Sequence, residues 1–335
     1  MNYSHRIFLY GPVGLFAALL LATMGYWWIA SDAFSKRLDA LNNRDIAPGI
    51  HVSFTGKAVA GFPFRLDAEL DGLRVAIATS HGPAIWTAEH FASHALIYGA
   101  THIIFEAAGK QHLEWHGDTG QLHTYDFLPG SMRASAVADA HGLSRFDFDL
   151  IDAAAADVSA ARVQFHLRKD PKIDGLDVNF SAVGVHIAPE LKPAFGVDAR
   201  QIAFEGLISP GSTFDGLLSG HADWRGGVQE WHARDGGVLI NTIAIDWGVL
   251  HASGKGALTV DSLHRPLGAV RLQITGWQKL RQSQAKVSGE GLADGFAILA
   301  AQTNPATDQL NTAVTLKDGV LFVGSTPVDL LSPLY

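Results

Sequence analysis

The chain changes its hydrophobic period once, shortly after its N-terminus. Residues 7–31 carry no charge, and apolar residues then recur at helical spacing as far as Leu41. A helix over residues 7–31 would be about 37 Å long, enough to cross a hydrocarbon core of roughly 30 Å. The pattern predicts a transmembrane helix over residues 7–31 and a helical stalk over residues 32–46, which ends before Pro48 because proline disfavours helix in the residue before it.

Beyond residue 47 apolar and polar residues alternate along the chain. The clearest alternating segments are residues 64–71, 145–150, 163–168 and 270–275. Strands with one apolar face, joined by glycine-containing turns, are typical of antiparallel sheets. The sequence therefore predicts a mainly β protein, in which an N-terminal transmembrane helix precedes a large antiparallel, curved β-sheet body with a few short helices near the C-terminus.

The β-rich body contains one predicted boundary and three predicted helical segments. Pro189 and Pro193 coincide with a change of hydrophobic phase, which predicts two β-rich halves at residues 47–190 and 191–335. Helical segments are predicted at residues 153–161, 277–287 and 292–302.

Some strands depart from simple alternation. In residues 176–187 the apolar side changes midway, which predicts a β-bulge or a break near residues 181–183. Residues 95–98, 103–105 and 238–245 are apolar on both sides, as in strands that are covered on both faces or that line a ligand groove. Residues 320–323 have the same character. We expect them to form an interior strand that pairs on both edges, or on one edge with a helix such as residues 292–302 covering its face.

Composition narrows the class of protein. Hydrophobic residues make up 47% of the 335 and charged residues 17%, which excludes disorder over most of the chain. The formal charge of −8 argues against a nucleic-acid partner, because such proteins present basic surfaces to phosphate. The absence of cysteine excludes disulfides, thiolate catalysis and cysteine-ligated metal centres.

The N-terminal segment has two readings, an uncleaved anchor and a secretory signal. A signal's apolar region is about 7–15 residues long and precedes a small-residue cleavage site, whereas this run continues through Trp27 and Trp28. We therefore predict an anchor with an aromatic belt where it leaves the membrane. The few charges flanking the span discriminate poorly between orientations, and we place the short tail, residues 1–6, in the cytoplasm.

Histidines are the main candidates for chemistry. Seven of the sixteen lie between residues 81 and 123. His90 and His94 would share one face of a helix, while His112, Glu114 and His116 would share one face of a strand, and either group can begin a zinc site. The alternative is exposed histidine on a solvated strand. We predict this alternative, with the histidines of residues 81–123 dispersed over different strand faces and turns and no metal site. The chain contains no nucleophile elbow, phosphate loop or dinucleotide fingerprint, so no catalytic residue and no cofactor is assigned.

Three blocks of glycine, proline and aromatic residues carry a resemblance to known proteins. They are residues 61–65, then 247–248, 254–261, 266–268 and 276–277, and finally 318–324 with Pro327. In this order, behind an anchor, they resemble an uncharacterised family of alphaproteobacterial envelope proteins over residues 47–330. The block at residues 254–261 also resembles the larger AsmA-like envelope proteins, whose long sheets form lipid-conducting grooves. Neither resemblance implies catalytic residues.

Three functions are compatible with these observations. The first is a single-pass inner-membrane protein with its body in the periplasm, without catalytic activity, that binds lipid or another apolar ligand along a curved sheet. The second is a tethered scaffold that binds another envelope protein. The third is a hydrolase that uses a histidine-bound metal. The expected partners are the membrane, through the N-terminal helix, and a lipid or an envelope protein, but no nucleic acid.

Overall fold

The computed structural model describes residues 4–117, 120–191, 193, 195–276 and 309–334. Over these ranges the chain forms one long helix, one large antiparallel sheet that does not close on itself, and a few short helices. The predicted fold class is therefore confirmed. The helices predicted at residues 277–287 and 292–302 lie outside the described residues.

Helix α1 spans Ser4–Leu41 and the sheet follows it. The strands are β1 (Arg44–Ala47), β2 (Ile50–Ser53), β3 (Gly56–Ala60), β4 (Arg65–Thr79), β5 (Gly82–Leu96), β6 (Gly99–His116), β7 (Leu122–Phe127), β8 (Ser131–Asp139), β9 (Gly142–Ala154), β10 (Val158–Lys169), β11 (Leu176–Ile187), β12 (Asp198–Ser209), β13 (Gly237–Trp247), β14 (Leu250–Val260), β15 (Pro266–Thr275), β16 (Gln309–Lys317), β17 (Val320–Val323) and β18 (Thr326–Leu330). Two 3-10 turns (Pro189–Leu191 and Gly211–Phe214) and two short helices, α2 (Asp215–Leu218) and α3 (Trp224–Ala233), complete the described elements.

The strands form a meander in which neighbours in sequence pair antiparallel. Strands β2 and β3 divide one edge of β4 between them, and β7 and β8 divide one edge of β6. From β8 each strand pairs with the next as far as β18. The sheet continues across the predicted boundary near Pro189, because β11 pairs with β12.

Helix α1 packs along β3 at the open edge of the sheet. Asn42 exchanges two hydrogen bonds with the backbone of Phe54, and Lys57 Nζ donates to the Ser35 carbonyl oxygen at 2.7 Å. Trp27 Nε1 donates to the Arg65 carbonyl oxygen at 2.9 Å. The contacts span about 22 Å of helix and a similar length of strand, so the helix follows β3 from end to end.

Helix α1 ends earlier than the predicted stalk, which extends to residue 46. It ends at Leu41, and residues 44–46 belong to β1 instead. The physical reason lies at Asn43, whose φ of 58° is left-handed and cannot continue a helix.

One local prediction in the middle of the chain is wrong, and a second holds in one of its two forms. Residues 153–161 belong to β9, a turn and β10, because cross-strand pairing overrides the helical preference of alanine. Strand β11 keeps its register with both neighbours, so it contains no bulge near residues 181–183. The alternation instead breaks at Gly184, whose φ of 62° changes the exposed side of the strand without an inserted residue.

The prediction for residues 320–323 is confirmed. Strand β17 pairs with β16 on one edge and with β18 on the other. Val323 is fully buried, which makes this short strand part of the interior.

Candidate binding face

One face of the sheet carries apolar side chains in three adjacent cross-strand rows. Consecutive members of each row lie directly opposite each other on neighbouring strands. The first row is Leu66, Ala95, Ile103, Ala136, Phe146, Leu167, Val178, Gly206, Ile240, Gly256, Val270, Val314 and Val323; the second is Ala68, Ser93, Phe105, Ala134, Phe148, Phe165, Phe180, Phe204, Ile243, Gly254, Leu272 and Thr312; the third is Leu70, Phe91, Ala107, Met132, Leu150, Val163, Ala182, Ile202, Ile245, Ala252, Ile274 and Leu310.

We call these three rows the apolar band. Only Ser93 and Thr312 bring a polar side chain into it. The band runs without a break from β4 to β16. The apolar residues stay in register from strand to strand, and the one bulge inside the band, between Ile240 and Ile243 of β13, returns Ile243 to the same row as Phe204 and Gly254.

Four phenylalanines form the centre of the apolar band. Phe148, Phe165, Phe180 and Phe204 are direct partners on the successive strands β9 to β12. All four are half-buried rather than fully covered. Aromatic side chains contribute large apolar areas, so this stretch offers a wide surface for an apolar ligand.

Buried clusters border the band. Beside its first row, over the central strands, Phe214, Val228 and Trp231 pack against Leu176 and Val260 to form a cluster between the helices and the strands. Two further clusters lie around Ile274 and Leu310, and around Leu70, Leu73 and Ala88. The more open centre therefore lies between well-packed regions that hold it in shape.

The opposite face is polar and is organised by histidine–aspartate pairs. In each of seven pairs the two residues are direct cross-strand partners, and Nδ1 of the histidine lies 2.7–2.9 Å from a carboxylate oxygen. They are His51–Asp45, His90–Asp71, His94–Asp67, His112–Asp126, His166–Asp147, His186–Asp198 and His251–Asp246.

The histidine candidates for metal binding are therefore distributed among different carboxylates. His90 and His94 lie on β5, a strand rather than a helix, and share its polar face about 13 Å apart. They face Asp71 and Asp67 respectively, and the His94 contact lacks hydrogen-bond geometry although its atoms are 2.9 Å apart.

The second group of candidates lies on β6. His112 stands between two carboxylates, with Asp126 at Nδ1 (2.7 Å) and Glu114 at Nε2 (3.5 Å), whereas His116 lies at the end of the strand. Within the described ranges no group of three or more histidine or carboxylate side chains is arranged to hold a metal ion.

Histidine and arginine partners shift the pKa values of two aspartates on the polar face. Burial alone would raise the pKa of Asp67, but interactions with Arg65 and His94 outweigh it and lower the pKa. The pKa of Asp147 is lowered in the same way, against burial, by His166 and Arg145.

The pKa of His112 moves in the opposite direction. Its hydrogen bond with Asp126 raises the pKa above the ordinary value, despite some burial, and Glu114 adds to the effect. Charge on this face is therefore held in local pairs and lies on the side of the sheet opposite the apolar band.

An open cavity of about 1400 Å³ lies over β13 to β16. Its walls include Leu239, Lys255, Arg271, Gln273 and Asn311, which project from the solvent-facing side of these strands. Within the apolar segment 238–245, Leu239 lines this cavity opposite Ala257, and Asn241 and Thr242 line it at the bulge between Ile240 and Ile243. The expected groove-lining role of this segment thus has a geometric counterpart, although the cavity wall is mixed rather than apolar.

Sequence reasoning missed the apolar band as a unit. It recognised several of the alternating strands, but the band depends on which residue of one strand stands opposite which residue of the next. The available signal was the phenylalanine that recurs in the segments around residues 148, 165, 180 and 204.

Comparison with known proteins adds a family and no activity. No curated protein matches the chain. A family model matches residues 27–330, nearly the whole body together with the part of α1 that lies along β3. The chain therefore belongs to the family described as an uncharacterized protein conserved in bacteria, DUF2125.

Proposed function

We propose that this protein is a membrane-anchored, non-catalytic binding protein that holds a lipid, or another ligand with a long apolar part, against the apolar band. The observation that carries the proposal is the continuity of the band across the sheet, with four directly opposed and half-buried phenylalanines at its centre. Globular sheets normally bury such a face under a second layer. An acyl chain is long, thin and apolar, which matches a band three residues wide.

The membrane anchor is the second part of the proposal. Helix α1 is long and apolar enough over Tyr10–Leu41 to cross a membrane, a property that a signal sequence shares. From Trp27 onward α1 is held against the sheet, through Trp27 and Ser35. The apolar run reaches this docked part without interruption and is longer than the 7–15 residues of a signal's apolar region, which favours an uncleaved anchor. We place the anchor in the inner membrane and the body in the periplasm.

A non-catalytic role is the third part. Three of the four histidines with the most suggestive spacing, His90, His94 and His112, each face a separate aspartate on the polar side, away from the apolar band. The resemblance to AsmA-like proteins points to the same type of function and stays a prediction.

Photo-crosslinking tests the proposal without removing aromatic bulk. Benzoylphenylalanine is introduced at Phe165 or Phe180 of the full chain in membranes, and at Asn179 as a control on the opposite face of the same strand. We expect lipid adducts, detected by mass spectrometry of the purified protein, at the two band positions and not at Asn179. Equal labelling at all three positions, or none at the band, would contradict lipid binding.

Native mass spectrometry of the detergent-extracted protein gives an independent measurement. We expect co-purified lipid in the unmodified chain and less of it in Phe180→Ser, while Asn179→Ser retains it. Both substitutions lie on β11, so a general loss of stability would be detected by comparing their melting temperatures.

A further inference from the structure

Two turns at one rim of the sheet expose large apolar side chains beside the proposed anchor. The turn before β4 exposes Phe62 (50%) and Phe64 (59%), and the turn between β5 and β6 exposes Tyr98 (74%). Leu96 at the end of β5 is also exposed. Single exposed apolar residues are common, but a contiguous group of them marks an interaction surface.

The two turns form one surface. The Ile97 backbone N–H donates a hydrogen bond of 3.0 Å to the Phe64 carbonyl oxygen, and Arg65 is the direct cross-strand partner of Leu96. Phe64 and Tyr98 are therefore carried by adjacent, hydrogen-bonded segments. We call Phe62, Phe64, Leu96 and Tyr98 the rim cluster.

Contacts with helix α1 hold the rim cluster at the position of Trp27 along the helix axis. The Trp27 and Phe62 rings meet edge to face with centroids 5.6 Å apart, and Trp27 Nε1 is hydrogen-bonded to the Arg65 carbonyl oxygen. Toward the C-terminus, α1 continues along β3. Toward the N-terminus, residues 7–26 are uncharged and would measure about 30 Å as a helix, the thickness of a hydrocarbon core.

The level of the membrane surface follows from these contacts. Tyr26, Trp27 and Trp28 are the residue types that settle at the boundary between hydrocarbon and headgroups, and the first charged residue after them is Asp32. Because Trp27 touches Phe62, the boundary that holds the helix tryptophans also passes through the rim cluster. Aromatic side chains with an apolar body are suited to that layer.

We infer that the rim cluster inserts into the headgroup layer of the bilayer that holds α1, so that the body rests on the membrane rather than hanging from a flexible tether. The inference rests on the proposed anchor. It assigns one occupant to this surface, the lipid of that same membrane, because the helix that enters the membrane is in contact with it.

The test uses the full chain. Because the chain contains no native cysteine, each introduced cysteine is its single labelling site. Single-cysteine variants Phe64→Cys and Tyr98→Cys are labelled with an environment-sensitive fluorophore and reconstituted into vesicles of phosphatidylcholine and phosphatidylglycerol that contain nitroxide-labelled lipids. Leu20→Cys reports on the anchor. Leu128→Cys is the matched control, since Leu128 is 62% exposed and lies about 40 Å from the rim along β6.

We expect the two rim labels to be quenched by shallow nitroxides roughly threefold more strongly than the Leu128 label, as for groups about 5–10 Å inside the interface. The Leu20 label should be quenched best by deep nitroxides. Rim labels that behave like Leu128 while Leu20 is quenched would overturn this inference alone. An unquenched Leu20 label would overturn the anchor and this inference together. The two rim positions lie on separate turns, so loss of one variant leaves the other to decide.

Discussion

Trp27 Nε1 donates a hydrogen bond to the carbonyl oxygen of Arg65, 38 residues further along the chain, over 2.9 Å. This bond joins the apolar helix to the first residue of the first long strand. The family match also begins at Trp27, so the docked part of α1 belongs to the domain itself. The helix is thus both the proposed anchor and the cover for the free edge at β3, which would otherwise expose unpaired backbone groups.

Two substitutions of Trp27 should weaken the contact between α1 and the start of β4 to different extents. Trp27→Phe removes the hydrogen bond and should lower the free energy of unfolding by about 1 kcal/mol or less, because the bond is exposed. Trp27→Ala also removes the contact with Phe62, worth about 0.5–1.5 kcal/mol more. Thermal unfolding of the full chain in detergent measures both. Trp28→Phe is the control, since Trp28 is exposed, and an equal effect there would refute the role of Trp27.

Glycine at position 256 should be required for the close approach of the β15 backbone to β14. A Cβ at Gly256 would lie 2.2 Å from the Ala269 carbonyl oxygen, whereas a Cβ at Gly237 would lie 3.8 Å from the Leu258 carbonyl oxygen. Gly256→Ala should therefore cost about 1–3 kcal/mol, because the neighbouring backbone must move. Gly237→Ala should cost much less. Urea unfolding of the two variants compares them directly, and equal midpoints would show that β14 tolerates a side chain at this place.

The His112–Asp126 pair should stabilise the fold more at acidic pH. The pKa of His112 is raised in the folded protein, so its contribution is complete below the unfolded pKa and disappears as pH rises through the folded value. Because the pair is exposed and screened by solvent, its contribution should be at most about 1 kcal/mol. The melting temperature of Asp126→Asn should fall below that of the unmodified chain at pH 5.5 and approach it at pH 8.5. The opposite pH trend would contradict the pairing.

Asp147 should show the reverse dependence on pH. Its pKa is lowered in the folded protein, so its contribution is present above the unfolded pKa and is lost as pH falls through the folded value. Asp147→Asn should therefore be destabilised near neutral pH and converge with the unmodified chain in strong acid. Asp177→Asn serves as the control, because Asp177 is exposed on β11 and forms no ion pair with another residue in the described part of the chain. A pH-independent difference would indicate a packing effect instead.

The buried end of β17 should be important for stability. Val323 is fully buried, so Val323→Ala should cost about 2 kcal/mol, whereas Val183→Ala, at a position 41% exposed, should cost little. A chain that ends at Lys317 should lose several kcal/mol, because β17 and β18 are removed together and β16 becomes an edge. Melting temperatures of the three variants test this, and an unchanged truncated chain would place the strand at the periphery.

The local sequence was sufficient to predict whether each major segment forms a helix or a strand. The uncharged run over residues 7–31 and the alternation in segments such as 64–71 and 163–168 report period and polarity, and both depend only on near neighbours. The interior strand at residues 320–323 was also predictable, since a short apolar run needs cover on both sides. Position-specific backbone changes were not: Asn43 and Gly184 take positive φ values that end a helix and turn a strand, and the alternation does not encode them.

The candidate binding face was decided by tertiary structure. Each strand shows its own apolar side, but only the register of the meander sets Phe148 opposite Phe165, and Phe180 opposite Phe204. The same registers place histidines and aspartates together in pairs on the other face, although they are up to 27 residues apart in the sequence, as His94 is from Asp67. A shift of one residue in any strand would move its side chains to the other face, so neither the apolar band nor the paired charges exist until the strands have aligned.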